Sequence, residues 1–419
     1  LLVLSGLPSP ANIRAGYHVP TVGCAAPIRS ARLPGPITDM PSHFKLLDRI
    51  SQIQPEAWDA LHDGHPGLRH AFLEALESNG CTGPGTGWLP AHAVLLRDAS
   101  LVAAMPLYLK EHSYGEYVFD WAWADAYQRN GIAYYPKWLS AIPFSPLPGN
   151  RLLGRTAGDR ATLLDAVLAQ VKESGASSLH ILFPGKDEAE LMTSRRMLVR
   201  EGVQFHWHNA GYRDFEAFLT SLNHEKRKKI RQERRRLEGL TLSYRWLDGH
   251  QASEEHWRFF YSVYAQTYRL HRSTPYLNEA FFIDIASRMP EQVRLLLVEE
   301  NGKALAGAFF LCDGSALYGR YWGASRHIPN LHFEVCYYRA IDYCIQLGLA
   351  CMEGGAQGEH KLSRGLTPVQ TRSAHWIADS RFRDALDHFL ARERAGIGLY
   401  LDELAERSPF RQSTQTGHT

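Results

Sequence analysis

Residues 316–369, ALYGRYWGASRHIPNLHFEVCYYRAIDYCIQLGLACMEGGAQGEHKLSRGLTPV, constrain the fold of this chain more than any other stretch. An aromatic-rich strand ends in Gly319-Arg320-Tyr321-Trp322-Gly323, and a loop closing on Pro329-Asn330 leads into a helix. Phe333, Tyr337, Ala340, Ile341, Cys344 and Leu347 recur at helical spacing and predict one apolar face. Asn330 is placed to cap the start of that helix and Gly348 to stop it. Residues 350–353 then read as a short buried strand, followed by a glycine-rich turn carrying Gln357, Glu359, His360, Lys361 and Arg364. Strand, loop, helix, strand, loop is the order of an α/β unit with its chemistry at the carboxyl ends of strands.

A chain of 419 residues is too long for one ordinary core, so two domains of about 150–200 residues are expected. The hydropathy pattern supports two copies of one plan. The first half reads as a strand at 44–50, helices at 55–62 and 68–78 and a hairpin of 93–97 with 101–110, then a helix at 161–172, a strand at 178–183 and a helix at 187–200. The second half reads as a strand at 204–208, helices at 215–222 and 224–237, a strand at 240–246, helices at 256–270 and 281–289, and a hairpin of 293–299 with 304–312 about Asn301-Gly302. The predicted organisation is a disordered extension at 1–40, domains at 41–200 and 201–395, and a tail at 396–419.

Net charge is +2, so contact with a polyanion must come from a local patch. The patch is plain: from Lys226 to Arg236 there are eight Lys or Arg and one acid, Glu233. No run of about 18 apolar residues predicts a membrane span. Six cysteines without Cys-x-x-Cys spacing read as small buried hydrophobes in a reducing, cytoplasmic setting. No zinc-ligand spacing is visible, and His332-x-Glu334 lacks the Pro-Cys-x-x-Cys of a zinc deaminase.

Several blocks carry a family resemblance: PLYLKEHSYGEYVFDWAWADAY (106–127), YYPKWLSAIPFSPLPGNRLL (134–153), QFHWHNAGYRDFEAFL (204–219), KRKKIRQERRRLEG (226–239), LYGRYWG (317–323), LHFEVCYYRAID (331–342) and EGGAQGEHKLSRGLTPV (353–369). In these the chain resembles the bacterial predicted N-acyltransferases described as peptidoglycan biosynthesis/recognition, FemAB-like members of the Gcn5-related N-acyltransferase superfamily. The resemblance implies an α/β (α+β) fold built as a tandem pair of Gcn5-related N-acyltransferase-like domains. It also implies transfer of an acyl or aminoacyl group onto an amine of a peptide, cell-wall precursor or small molecule.

Such a transfer needs a base for the amine proton, donors for the oxyanion and a site that orders two substrates. Glu353 and Glu359 are the expected bases, with His360 competing; Gly354, Gly355 and Gly358 let backbone N–H groups converge, and Gln357, Lys361 and Arg364 would hold an anionic group. A surface salt-bridge cluster on a glycine-rich turn would read the same way. Arg320, Tyr321 and Trp322, then His332 and Glu334, are expected along the substrate path, or as core aromatics and a dipole-stabilised helix start. Lys110, His112, Tyr114, Glu116 and Asp120 suit a saccharide or peptide acceptor, or an inter-domain seam. Lys226, Arg227, Lys228, Lys229 and Arg231 suit the phosphates of tRNA, or a solvated helix face.

Coenzyme A-dependent relatives bind pyrophosphate at a glycine-containing loop before the helix. Here SRHIPNLHFE has no glycine and puts Glu334 in the first turn, so acyl-coenzyme A is disfavoured and an aminoacyl-tRNA donor favoured. No cofactor or metal is required in this scheme. The rivals are an acyl-coenzyme A-dependent N-acetyltransferase and a non-catalytic peptidoglycan or peptide binder.

Overall fold

In the computed structural model, which describes residues 42–356 and 358–411, the strands gather into two sheets. The expected extension at 1–40, residues 412–419 and Gln357 lie outside the described residues. The smaller sheet takes His43–Leu47, His92–Arg97, Ser100–Met105 and Leu153–Gly154. The larger has eleven strands, in the order Leu242–Asp248, Val293–Glu300, Lys303–Cys312, Ala316–Ala324, Cys351–Ala356, Leu198–His208, Thr367–Ile377, Ser178–Leu182, Lys137–Ser140, Tyr108–Lys110 and Trp88–Pro90.

The expected strand 101–110 breaks in two. Pro106 has no N–H to give the ladder, so the strand ends at Met105 and the chain resumes at Tyr108 in the other sheet. The expected helix at 187–200 stops at Ser194, because Arg196 turns left-handed at φ +60°. The β-branched Val199 and Val203 then belong to the eleven-residue strand Leu198–His208. That strand pairs with Thr367–Ile377 along most of its length and with Cys351–Ala356 near its end. Position 200/201 therefore lies inside a strand. A segment from the far C-terminal part of the chain, Thr367–Ile377, sits between Leu198–His208 and the first half's Ser178–Leu182.

The two halves also share a core. Helix His70–Ser78 packs on its counterpart Glu279–Arg288, with Phe72 edge-on to Phe281 at 5.9 Å. Burying each of these rings contributes roughly 1.5–3 kcal/mol. Position 396, the expected start of a tail, lies inside the helix Ser380–Glu406. Its Leu386 and Leu390 cover Trp123 and Tyr127, and Phe382 stacks on Tyr127 at 4.0 Å.

Residues 331–347 form the expected helix with one departure. Leu331–Phe333 and Arg339–Leu347 are α-helical, but Glu334–Tyr338 winds as a π turn. Val335 and Ala340, five apart, both face the core, a spacing that the wider turn allows. The phase slips, and Leu347, expected on the apolar face, is 53% exposed. Asn330 does not cap the helix. It sits in the left-handed region at φ +68°, away from the extended geometry an N-cap side chain needs. Gly348 closes the helix in the left-handed conformation that suits glycine.

Candidate functional site

Strands Ala316–Ala324 and Cys351–Ala356 run parallel but pair only from Ala316 to Tyr318 against Cys351 to Glu353. Beyond that point they diverge and leave a wedge in the sheet. Glu353 occupies the last paired position. Its Oε2 is buried with no hydrogen-bond partner among the described residues. Burial pushes the carboxyl up to about 8, against the pull of the Arg320 and Arg151 guanidiniums.

Arg320 is the extra residue of a β-bulge, since Phe309 pairs with Tyr321 and Phe310 with Gly319. The bulge turns it away from the ladder. Its Nη2 donates to the Phe144 carbonyl at 2.5 Å, and the Tyr321 hydroxyl donates to the same oxygen at 2.8 Å. Phe144 arrives from the first half and holds a left-handed φ of +56°, a conformation that costs a non-glycine residue on the order of 1 kcal/mol or more. Arg151, seven residues on, is buried; the Glu188 carboxylate accepts from the Arg151 and Leu152 N–H groups at 2.7–3.0 Å. One wall of the wedge region is thus built by the first half.

The turn after Glu353 is held from beneath. A Cβ on Gly354 would meet the Phe205 carbonyl oxygen at 2.8 Å, so the close approach of strands requires glycine there. Lys361, only 1% exposed, donates to the Gly355 and Ala356 carbonyls at 3.1 and 2.7 Å. Burial lowers its ammonium to about 7. His360 is half-buried beside Phe333, its Nε2 3.2 Å from the Tyr337 hydroxyl, and burial with the Arg364 and Lys361 charges lowers it to about 4. The Arg364 guanidinium sits 3.5 Å from the Phe333 ring centroid, and its Nη2 donates to both Glu233 oxygens at 2.8 and 3.1 Å.

Glu359 points elsewhere. It is exposed and faces the C-terminal helix, with Arg407 at 2.6 Å and Tyr400 at 3.3 Å. Glu334 is buried between Arg234 and Arg339 at 2.8–3.2 Å, with Nε and Nη2 of Arg234 donating to separate oxygens. Trp322 and His332 meet edge-on, with ring centroids 5.7 Å apart.

In the basic helix His224–Glu238, the one acid between Lys226 and Arg236 has a structural partner: Glu233 is buried and also accepts from the Tyr338 hydroxyl, tying the helix to the turn. Lys228 and Lys229 are exposed, Lys226 and Arg227 partly so, and Arg231 pairs with Glu216. Beside it opens a cavity of ≈ 860 Å³ where Arg231, Arg234, Arg235 and Arg339 alternate with Glu216, Glu238 and Glu334.

The first-half cluster is internal. Lys110, Glu116 and Asp120 are sealed from solvent, whereas His112 and Tyr114 line a cavity of ≈ 370 Å³ with Trp88, Phe144 and Tyr276. Four residues absent from the sequence reading complete the buried network: Lys137, Tyr134, His180 and His375. Lys137 donates to Ser113 and Glu116 at 2.8 Å and to Asp120. Tyr134 donates to Asp120 at 2.6 Å, so its oxygen accepts from His180 Nε2 at 3.1 Å. Burial keeps both histidines neutral, and His375 Nδ1–H then donates to His180 Nδ1 at 2.6 Å. A lysine directly before Trp138-Leu139, at the start of the buried strand Lys137–Ser140, was the available signal.

Among the described residues no helix is long and apolar enough to cross a membrane. Residues 49–412 match the FemAB-like family, described as peptidoglycan biosynthesis/recognition. The crystal structure of FemX is similar, with TM-score 0.51 and 13% identity over 80% of this chain and 98% of that one. L-PGS from Bacillus licheniformis has TM-score 0.47 and 10% identity over 81% and 96%. A tandem GNAT protein from the clavulanic acid biosynthesis pathway has TM-score 0.40 and 10% identity over 80% and 98%. No curated protein sequence matches this chain.

Proposed function

Because the chain belongs to the FemAB-like family of peptidoglycan biosynthesis/recognition, we propose that it transfers an acyl or aminoacyl group onto an amine in the wedge between Ala316–Ala324 and Cys351–Ala356. The observation that carries this reading is the unpartnered, buried Oε2 of Glu353 at the point where the two strands part. The acceptor nitrogen attacks the donor carbonyl, a C–N bond forms and the bond to the ester or thioester leaving group breaks. Glu353 takes the proton the amine loses and passes it to the departing oxygen or sulfur, which restores the carboxylate.

Arg320 and Arg151 place two positive charges near that carboxyl, and Lys361 fixes the carbonyls of the turn that borders it. Pre-positioned groups of this kind act in a site largely screened from water, where charge counts for most. His360, neutral and hydrogen-bonded to Tyr337, is the competing base. Glu359 has the role of holding the turn to the C-terminal helix.

For the donor, an aminoacyl-tRNA fits better than coenzyme A. Lys228 and Lys229 present exposed charge on the basic helix, which suits a polyphosphate backbone. At the start of the helix, Glu334 places a buried carboxylate where a pyrophosphate would need bare N–H groups. The acceptor class is an amine of a peptide or cell-wall precursor. Mass spectrometry of wall fragments and metabolites from a deletion strain tests the reading: one acyl mass should vanish, return with the wild-type chain and stay absent with Glu353→Gln. Restoration by Glu353→Gln would favour the non-catalytic binder.

A further inference from the structure

The face of the sheet that carries Glu353 holds three further side chains of a different chemistry. Cys351 pairs with His208 across the antiparallel strands, and Glu353 pairs with His206, so the four side chains form a square on one face. The ring nitrogens of His206 and His208 and the Cys351 sulfur lie within 4.8 Å of one another. The sequence hid this set, because 142 residues lie between His208 and Cys351 and only the strand pairing joins them.

We infer that His206, His208 and Cys351 bind one zinc-class divalent ion, with a fourth coordination position open to solvent. Two imidazoles and one thiol are the donor set that borderline-soft ions prefer over magnesium or calcium. Bond lengths of about 2.0–2.3 Å place tetrahedral donors roughly 3.3–3.7 Å apart, so these groups need to close by about 1 Å. Rotamer adjustment on a strand surface covers that distance.

A supporting residue already orients one ligand. Gln204 donates its Nε2 to the Pro146 carbonyl at 2.7 Å, which leaves its Oε1 to accept from His206 Nε2 at 3.2 Å. That bond fixes the proton on Nε2 and leaves the Nδ1 lone pair free for a metal. His206 is 5% exposed, His208 is exposed and Cys351 partly so, which gives the ion an entry path and an open side. Among the described cysteines Cys351 alone is not buried. The Glu353 carboxylate, with its unpartnered Oε2, stands next to the site, outside the trio of mutually close donors. The inference requires no step of the proposed transfer.

Cobalt(II) is the probe. Tag-free full-length chain, stripped with a chelator, should bind about one equivalent with thiolate-to-cobalt absorption, and zinc(II) should displace it. Cys351→Ser should remove that absorption. His208→Ala, an exposed position, should leave the metal-free melting temperature unchanged and weaken binding at least ~10-fold, as should Gln204→Ala through loss of ligand orientation. No thiolate absorption in the wild type would overturn the site. So would wild-type affinity in His208→Ala, whether or not Cys351→Ser folds. Neither result touches the reading of Glu353, since binding is measured without turnover.

Discussion

Two glutamates illustrate how burial separates side chains that look equivalent in sequence. Glu233 is buried and answers both Arg364 and Tyr338, so Glu233→Ala leaves an arginine uncompensated and should cost about 3–5 kcal/mol in chemical denaturation. Glu359 pairs with Arg407 in solvent, and Glu359→Ala should cost no more than about 1 kcal/mol. Lys361 gives a pH signature. Burial holds it down to about 7 from an ordinary 10.5, so the folded chain sheds this proton while the unfolded chain keeps it. Stability should therefore rise with pH between 7 and 10.5, and the full cost is carried below 7. Relative to Lys361→Met, the wild type should gain on the order of a few kcal/mol across that window. Parallel stability–pH curves for the two proteins would contradict it.

At the scale of elements, the basic helix makes the clearest forecast. Charge removal at Lys228 and Lys229 should reduce the salt slope of tRNA binding by about 0.7–0.9 per charge, measured by filter binding across a salt series. An unchanged slope would place the polyanion elsewhere. Helices and hairpins with strong periodicity were legible from the sequence: 224–237, 256–270, 281–289 and the hairpin at Asn301-Gly302 all formed within two residues of expectation. What escaped depended on partners distant in the chain. The strand Thr367–Ile377 has no alternation of its own to announce it, since its neighbours Leu198–His208 and Ser178–Leu182 settle its place. The π turn at Glu334–Tyr338 is invisible to a 3.6-residue count. Likewise, Glu353 and Glu359 stood as equals on one turn until the divergence of two strands turned one inward and Arg407 drew the other out.

For the whole molecule, the sheet decides how the halves behave. Thr367–Ile377 lies between strands of the first half and the middle of the chain, and Phe72 packs on Phe281. Residues 42–200 alone would lose an inner strand and half a core. Thermal unfolding followed by circular dichroism and by tryptophan fluorescence should give one coincident transition; two separated transitions would mean independent domains. The same union brings Phe144 and Arg151 against Arg320 and Glu353, and the proposed chemistry depends on it. The most direct measurement is complementation of a deletion strain by Glu353→Gln and Glu359→Gln side by side, read as the acyl mass missing from its wall fragments and metabolites. Glu359→Gln should restore that mass and Glu353→Gln should not; restoration by Glu353→Gln, or failure of Glu359→Gln alone, would contradict a transfer site in the wedge.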